Sequence, residues 1–206
     1  EEVTGLAADT DYCWRARFRD KGLSWSAWME PVSFRTADSG HSPNRVLNGG
    51  AEDGTSNWVA VSGPIESLSD GECGGRDPYS GTQYFAVGGL CADEGDYGEA
   101  HQDVDVSDLT TEIDAGDHAA LLRMFVSDWS GSDEPTARLD MLDGAGTVLA
   151  SSETIGATSS SWTEVSTTTS VPSTTRTVRV VLMGVRMAGS DNDAYFDDIT
   201  LRLMPD

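Results

Sequence analysis

Large apolar and polar side chains alternate near the start of the chain. From residue 12 to residue 19 the even positions are Tyr, Trp, Ala and Phe, whereas the odd positions are Cys and three Arg. A period of two is typical of a β-strand that buries one face. Residues 20–22 (Asp-Lys-Gly) favour a turn, and residues 31–36 repeat the alternation. The pattern therefore predicts two strands of a small sheet.

The rest of the chain contains many short apolar segments separated by turns. Two of the turns, residues 114–117 and 143–146, consist of Asp, Ala and Gly. Many short strands at close spacing indicate an all-β domain with a β-sandwich or jelly-roll architecture. The predicted strands are residues 83–87, 101–106, 120–126, 137–142, 147–150, 163–165, 177–183 and 195–201.

The charge of the chain is strongly acidic and unevenly distributed. The 206 residues carry a formal charge of −22. Residues 1–37 have five basic and six acidic side chains, a net charge of −1, which leaves −21 for residues 38–206. Such a charge argues against nucleic-acid binding and against anionic membranes, and no apolar run predicts a spanning helix. The small polar segment 38–43 predicts a linker between two modules.

Residues 1–37 resemble the C-terminal half of a fibronectin type III domain. The similarity rests on five motifs, at residues 4–6, 10–12, 14–17, 26–28 and 33–36. It implies that the first half of that module, and other domains of the same polypeptide, lie upstream. Trp25 and Trp28 follow a strand that carries three Arg, so two interpretations stay open: a structural cation–π ladder or an aromatic pair that binds a ligand.

Residues 44–206 resemble galactose-binding-like jelly rolls, which include many carbohydrate-binding modules. The similarity rests on residues 48–54 with the following Trp58, and on the closing segment 195–201. It implies a structural Ca²⁺ where these two ends meet, with Glu52 and Asp197 as side-chain ligands. It also implies that Asn48 and Gly50 contribute to the metal site.

The alternation of the last predicted strand gives a separate expectation for Asp197. If residues 195–201 alternate strictly, Asp197, Ile199 and Leu201 share a buried face, and Asp198 points the other way. A buried carboxylate needs either a cation or several hydrogen-bond donors. The alternation therefore leaves two expectations for Asp197, a Ca²⁺ ligand or an acceptor for backbone amides.

Cys73 and Cys91 lie in a segment rich in Gly and turn residues. A disulfide between them would close a loop of 17 intervening residues and would stabilise the fold by about 3 kcal/mol. A metal site is the alternative, but no CxxC pair or His cluster supports it. A disulfide indicates an oxidising environment, so we expect a secreted or cell-surface protein, with Cys13 left unpaired within residues 1–206.

No sequence motif of an enzyme is present, and the acidic residues are scattered over turns. Sugar sites combine aromatic rings with planar polar groups, so loop aromatics with polar neighbours are the candidate ligand residues. Trp58 and Trp162 are expected in the core instead. The candidate ligand residues are Arg76, Tyr79, Tyr97, Asp128, Trp129, Asp191 and Asn192.

These observations favour a non-catalytic, calcium-stabilised carbohydrate-binding module of a multidomain bacterial protein. Its partner would be a polysaccharide or a glycoprotein. The alternative is a structural or protein-interaction module, such as a spacer or part of an adhesin, because one fold serves several functions. An enzyme that uses two of the scattered carboxylates is the third hypothesis.

Overall fold

The computed structural model of the chain describes residues 11–22, 24–36, 42–91 and 95–205. The chain divides into two units, Glu1–Pro43 and Asn44–Asp206. The motif predicted at residues 4–6 and residues 38–41 of the predicted linker lie outside the described residues. No helix in the described part of the chain is long and apolar enough to cross a membrane.

The first unit contains one antiparallel strand pair. Strand β1 (Asp11–Trp14) pairs with β2 (Val32–Arg35). Across this pair the ring of Tyr12 stacks on Phe34 at a centroid distance of 5.9 Å. Strand β1 is four residues long, so it is shorter than the strand predicted at residues 12–19. Beyond β1 the antiparallel pairing continues irregularly, with a single bridge between Arg19 and Trp25 and a hydrogen bond from the Ser26 amide to the Phe18 carbonyl.

Three arginines and two tryptophans form a cation–π ladder in the first unit. The Arg17 Cζ lies 4.3 Å from the ring centroids of both Trp25 and Trp28. Arg15 lies over Trp28 at 4.6 Å, and Arg19 over Trp25 at 5.4 Å. Each such contact at an exposed site stabilises by about 0.5–1 kcal/mol. Of the two interpretations of Trp25 and Trp28, the structure shows the structural cation–π ladder.

The second unit is a sandwich of two antiparallel sheets. Its strands are β3 (Val59–Ser62), β4 (Ile65–Ser69), β5 (Gln83–Val87), β6 (Tyr97–Asp105), β7 (His118–Ser127), β8 (Glu134–Leu142), β9 (Val148–Ser151), β10 (Ile155–Gly156), β11 (Thr163–Ser170), β12 (Thr177–Val185) and β13 (Tyr195–Pro205). The six-stranded sheet has the order β10-β8-β12-β6-β3, with β9 also paired to β8. The five-stranded sheet has the order β11-β7-β13-β5-β4.

Each predicted strand of the second unit overlaps an observed strand. Strands β3 and β4, the two-residue β10 and a short helix, α1 (Thr110–Ala115), were not predicted. Strand β3 exposes all four of its side chains, so burial imposes no apolar alternation on its sequence. The predicted all-β sandwich is confirmed.

The main core lies between the inner faces of the two sheets. It includes Leu122 and Met124 of β7, Leu139 of β8 and Leu182 of β12, all fully buried. Burial of a side chain of this size stabilises the fold by about 1.5–3 kcal/mol. Trp58 closes this core with its ring 5.5 Å from that of Phe85, as predicted.

A second, smaller group of buried residues lies on the outer face of the five-stranded sheet. Because side chains alternate along β5, Phe85 belongs to the main core and Tyr84 points outward. The loop of residues 70–82 packs against this outer side, and the Arg76 amide donates to the Tyr84 hydroxyl at 3.2 Å. We call this group the outer cluster; it consists of Leu68, Tyr84, Ala86, Leu90 and Tyr195.

The predicted disulfide between Cys73 and Cys91 is confirmed. Their Cα atoms are 5.4 Å apart, and the bond joins loop 70–82 to the segment that follows β5. The carboxylate of Glu66 accepts hydrogen bonds from the amides of Leu90 and Cys91, which anchors the far end of this connection. Cys13 is exposed and free in the first unit.

Candidate functional site

Three loops of the second unit form a cleft lined by aromatic rings. We call it the aromatic cleft, and its volume is about 500 Å³. One wall comes from loop 70–82, the second from the β7–β8 loop and the third from the segment before β11. The lining residues are Gly75, Arg76, Asp77, Pro78, Trp129 and Trp162.

Trp129 is held in an ordered loop although its side chain is 56% exposed. The neighbouring Asp128 is fully buried. Its carboxylate accepts hydrogen bonds from the amides of Gly131, Ser132 and Ser159. Asp128 therefore shapes the loop and does not face a ligand, which differs from its predicted role. Its bonds fix the position from which Trp129 projects.

Trp162 lines the cleft and is not a residue of the main core, which corrects the sequence-based expectation. Its indole Nε1 donates to the carbonyl of Asp77 at 2.9 Å. One edge of its ring meets the outer cluster at Tyr84, 6.0 Å between centroids. The prediction failed because Trp162 precedes an alternating strand, and alternation does not distinguish the inner from the outer face of the sandwich.

Tyr79 lies beside the cleft and does not line it. Its ring stacks on Phe125 of β7 at a centroid distance of 3.5 Å and meets Trp162 edge-on at 6.4 Å. Its side chain is 44% exposed. Tyr79 therefore supports Trp162 from the side and extends the aromatic surface along the outer face of the sheet.

Arg76 is fixed at the base of the cleft by three contacts. Its Nη1 donates to the hydroxyl of Ser127 and, at 2.8 Å, to the carbonyl of Asp128. Its Cζ lies 5.6 Å from the centroid of the Trp162 ring. The structure therefore brings together Arg76 and Trp129 of the predicted ligand residues, and adds Trp162, which sequence reasoning placed elsewhere.

The other predicted ligand residues lie outside the cleft. Asn192 is fully buried and donates through Nδ2 to the carbonyls of Gly95 and Gly184, so it holds a loop together. Asp191 accepts a hydrogen bond from the hydroxyl of Ser190 at 2.9 Å. Tyr97 projects from the outer face of the six-stranded sheet.

The outer face of the six-stranded sheet is polar and rich in ion pairs. Tyr97 donates its hydroxyl to Glu99, and burial raises the pKa of Tyr97 to about 12. Asp103 accepts two hydrogen bonds from Arg179, which lower the pKa of that carboxyl. Burial, followed by the charge of Arg179, lowers the pKa of His101. The charges of this face are therefore compensated by one another.

Both predicted calcium ligands, Glu52 and Asp197, form hydrogen bonds with residues at the end of loop 70–82 and the start of β5. Glu52 accepts hydrogen bonds from the amides of Thr82 and Gln83 and from the Thr82 hydroxyl, which hold its pKa below the usual range. Asp197 accepts a hydrogen bond from the amide of Ser80 at 3.0 Å. The two carboxylates thus bind neighbouring residues of one segment.

A β-bulge places Asp197 on the opposite side from the one predicted. The register of β13 against β7 shifts between Asp197 and Thr200, and Asp198 has a φ of 50°. Phe196 and Ile199 consequently both lie in the main core, three positions apart. Strict alternation predicts that Asp197 shares the face of Ile199, but the bulge places Asp197 on the other face. It is nevertheless fully buried, beneath the segment of Ser80 on the outer side.

The residues at this position suit a hard cation. Burial raises the pKa of Asp197 to about 7, although the backbone amides of Ser80 and Asp198 donate hydrogen bonds to its carboxylate. A Cβ on Gly50 would lie 3.5 Å from the Asp197 Oδ1, so the backbone approaches the carboxylate closely there. Ca²⁺ binds six to eight oxygens, including backbone carbonyls.

The side chain of Asn48 forms hydrogen bonds within its own loop, unlike a side chain that coordinates a metal ion. Its amide donates to the carbonyls of Gly54 and Ser56, and its Oδ1 accepts from the amide of Asp53. Its side chain therefore shapes the loop before β3. In the described part of the chain no three Asp, Glu, His or Cys side chains converge in metal-binding geometry. A calcium site here would depend on Glu52, Asp197 and backbone carbonyls.

The fold matches solved structures. No protein-family model matches the sequence, and no curated protein is similar to it in sequence. The structure of a family 16 carbohydrate-binding module is similar with a TM-score of 0.52 and 20% identity, over 77% of this chain and 99% of that one. The enzymatically active domain of bacteriophage CBA120 tailspike protein 4 is similar with a TM-score of 0.54 and 15% identity. That match covers 78% of this chain but only 21% of the tailspike chain. The chain therefore has the β-sandwich jelly-roll fold found in carbohydrate-binding modules.

Proposed function

We propose that residues 44–205 form a non-catalytic carbohydrate-binding module whose ligand lies in the aromatic cleft. The observation that carries this proposal is the pairing of two tryptophans, Trp129 and Trp162, with Arg76 in one cleft of this fold. The C–H faces of sugar rings stack on aromatic rings, and the sugar hydroxyls need nearby polar groups for orientation.

The cleft is arranged before any ligand arrives. Asp128 fixes the loop of Trp129 through three backbone amides. Trp162 is held by its bond to the Asp77 carbonyl. A preformed site loses little conformational entropy on binding, which increases the affinity that each contact provides. The exposure of Trp129 therefore reflects its placement and not a poorly packed loop.

Structural calcium belongs to the same proposal. Glu52 and Asp197 would hold the ion, with the backbone near Gly50 supplying further oxygens. When bound, Ca²⁺ supplies positive charge and a cross-link between the two ends of the module. Asp197 would then be a buried carboxylate with a cation, which removes the energetic cost of its burial. The ion would act on stability and not on the sugar directly.

The wider context of the protein is also part of the proposal. The Cys73–Cys91 disulfide supports an oxidising, extracellular setting. The paired strands and the arginine–tryptophan ladder of residues 11–35 support a fibronectin type III-like module before the sandwich. Together these features favour a secreted or cell-surface protein with further domains, whose ligand is a polysaccharide or a glycoprotein.

A glycan array probed with the full chain in millimolar Ca²⁺ tests the function. The best glycan is then titrated calorimetrically against the wild type, Trp129→Ala and Tyr97→Ala. Tyr97 is the matched control because it is 41% exposed and lies outside the cleft. We expect Trp129→Ala to weaken binding by about tenfold or more, equivalent to about 1.4 kcal/mol, and Tyr97→Ala to leave it unchanged.

Two outcomes contradict the proposal. If the array shows no binding to any polysaccharide or glycoprotein, the carbohydrate function is wrong and the module is a structural or protein-docking unit. If Tyr97→Ala abolishes binding while Trp129→Ala does not, the ligand binds the outer face of the six-stranded sheet and not the cleft.

A further inference from the structure

The arginines of the second unit are almost all paired with carboxylates. Six of the eight arginines at residues 45–202 lie within 4.0 Å of an Asp or Glu oxygen. Among the described residues the exceptions are Arg76 and Arg202. The paired arginines are Arg45, Arg123, Arg138, Arg176, Arg179 and Arg186. In a region this acidic, an arginine without a carboxylate partner needs an explanation.

The guanidinium of Arg76 is fixed but only partly used. Both hydrogen bonds that it donates within the described chain leave from Nη1, to Ser127 and Asp128. Its Nε and Nη2 donate no hydrogen bond to the described residues. These two nitrogens form one edge of the planar group, and that edge matches the two oxygens of a carboxylate.

We propose that this edge of Arg76 binds the carboxylate of an acidic sugar, so that the aromatic cleft recognises uronic-acid-containing glycans. This inference rests on the proposed function and names the class of its ligand. The ring of the uronic acid stacks on a tryptophan of the cleft, and its carboxylate takes two charge-assisted hydrogen bonds from Arg76. A neutral hydroxyl in the same place accepts weaker hydrogen bonds from the guanidinium.

The negative charge of the module does not prevent this binding. At physiological ionic strength the Debye length is about 8 Å, so the charges of distant carboxylates are screened. The groups within and beside the cleft therefore determine whether an anionic ligand binds. Asp77 is a lining residue of the cleft, and its interaction with Asp70 raises the pKa of Asp70. The charge of Asp77 opposes an anionic ligand, so the two charge-assisted hydrogen bonds from Arg76 must exceed this repulsion.

Matched glycans test the proposal without altering the protein. Oligogalacturonates, oligoalginates and hyaluronan oligosaccharides are each compared with their carboxyl-reduced forms, in which the uronic acid becomes a neutral hexose. Binding to the full chain is measured by calorimetry at 150 mM NaCl. We expect at least one acidic glycan to bind about 10- to 100-fold more tightly than its reduced form.

Variants then assign the difference to Arg76. Arg76→Lys keeps the positive charge and loses the planar fork, so we expect it to remove most of the preference for the acidic form. Arg202→Lys is the matched control, because Arg202 lies six residues along the strand pair from the cleft end and also lacks a carboxylate partner among the residues that the structure describes. Asp77→Asn should tighten the acidic glycan about two- to threefold. Near-ultraviolet circular dichroism confirms that each variant is folded.

The outcomes separate this inference from the proposed function. If a neutral glycan binds in the Trp129-dependent cleft and no acidic form binds more tightly, the carbohydrate function stands and the acidic-sugar inference is overturned. If nothing binds, both are overturned. Chondroitin sulfate and its desulfated form make a further arm: a preference for sulfate alone would replace the carboxylate as the recognised group. An equal effect of Arg202→Lys would show that the preference comes from overall charge.

Discussion

Removal of the Cys73–Cys91 disulfide should destabilise the module without unfolding it. In the double variant Cys73→Ser/Cys91→Ser the native contacts around the bond persist, because Glu66 still accepts the amide of Leu90 and the Leu90 side chain remains in the outer cluster. Both cysteines are exposed, so the two hydroxyls replace sulfur in contact with water. The loss therefore comes mainly from the greater freedom of the unfolded chain.

The sequence separation of 18 sets the size of this loss. In the chain-entropy description, closing such a loop removes about 11 cal/mol/K of entropy from the unfolded chain, or about 3 kcal/mol at 25 °C. For a domain of this size, 1 kcal/mol shifts Tm by about 2–4 °C. We therefore expect the double variant to melt about 6–12 °C below the wild type.

Urea unfolding and calorimetry measure this loss under non-reducing conditions. Cys13→Ser is the control, because Cys13 is a free cysteine in the first unit and should leave the stability of the sandwich unchanged. Reduction of the wild type should reproduce the double variant. A free-energy loss below about 1 kcal/mol, or a larger loss with altered tryptophan fluorescence of the native state, would refute the chain-entropy reasoning.

Three further predictions concern the proposed metal site, the turn beside Glu52 and a half-buried carboxyl. Removal of calcium with EDTA should lower the Tm by several degrees, because a bound ion stabilises only the folded state; an unchanged melt would argue against calcium. Gly81→Ala should lower the free energy of unfolding, measured with urea, by about 1–2 kcal/mol. The reason is that residue 81 has a φ of 64° and a new Cβ would lie 2.1 Å from the Glu52 Oε1. Gly54→Ala, with a φ of 61° and open space around it, shows how much of that cost is backbone strain alone. Burial raises the pKa of Asp193, so the protonated form that favours folding is lost as pH rises through that pKa. Asp193→Asn should therefore raise the free energy of unfolding at pH 8 and change it little at pH 4. Equal effects at both pH values would contradict this.

Strand positions could be predicted from the sequence because burial imposes alternation on them. Strand β12 was predicted at residues 177–183 and spans Thr177–Val185, with Val178, Val180 and Leu182 fully buried. Strand β3 was not predicted because it exposes all of its side chains. Alternation also could not show the bulge at Asp198, since one extra residue reverses the faces without changing the composition of the strand.

The candidate site was only partly predictable for a related reason. Trp129 and Arg76 stand out in loops, but a sequence does not show which loops meet in space. Trp162 looked like a core residue because a strand follows it, and Asp128 looked like a ligand residue because a tryptophan follows it. The decisive information was tertiary: Asp128 binds the amide of Ser159, 31 residues away, and the Trp162 indole binds a carbonyl 85 residues away.

The outer cluster separates the aromatic cleft from the main core of the sandwich. Trp162 packs on Tyr84, and Tyr84 packs on Tyr195, on the opposite side of the five-stranded sheet from the main core. The sheet therefore forms a wall between the cleft and the main core. Substitutions on the two sides share few neighbours, and their effects on stability should add. Such a division makes the loops around the cleft exchangeable: new binding specificities could be selected there, by evolution or by design, while the sandwich beneath remains unchanged.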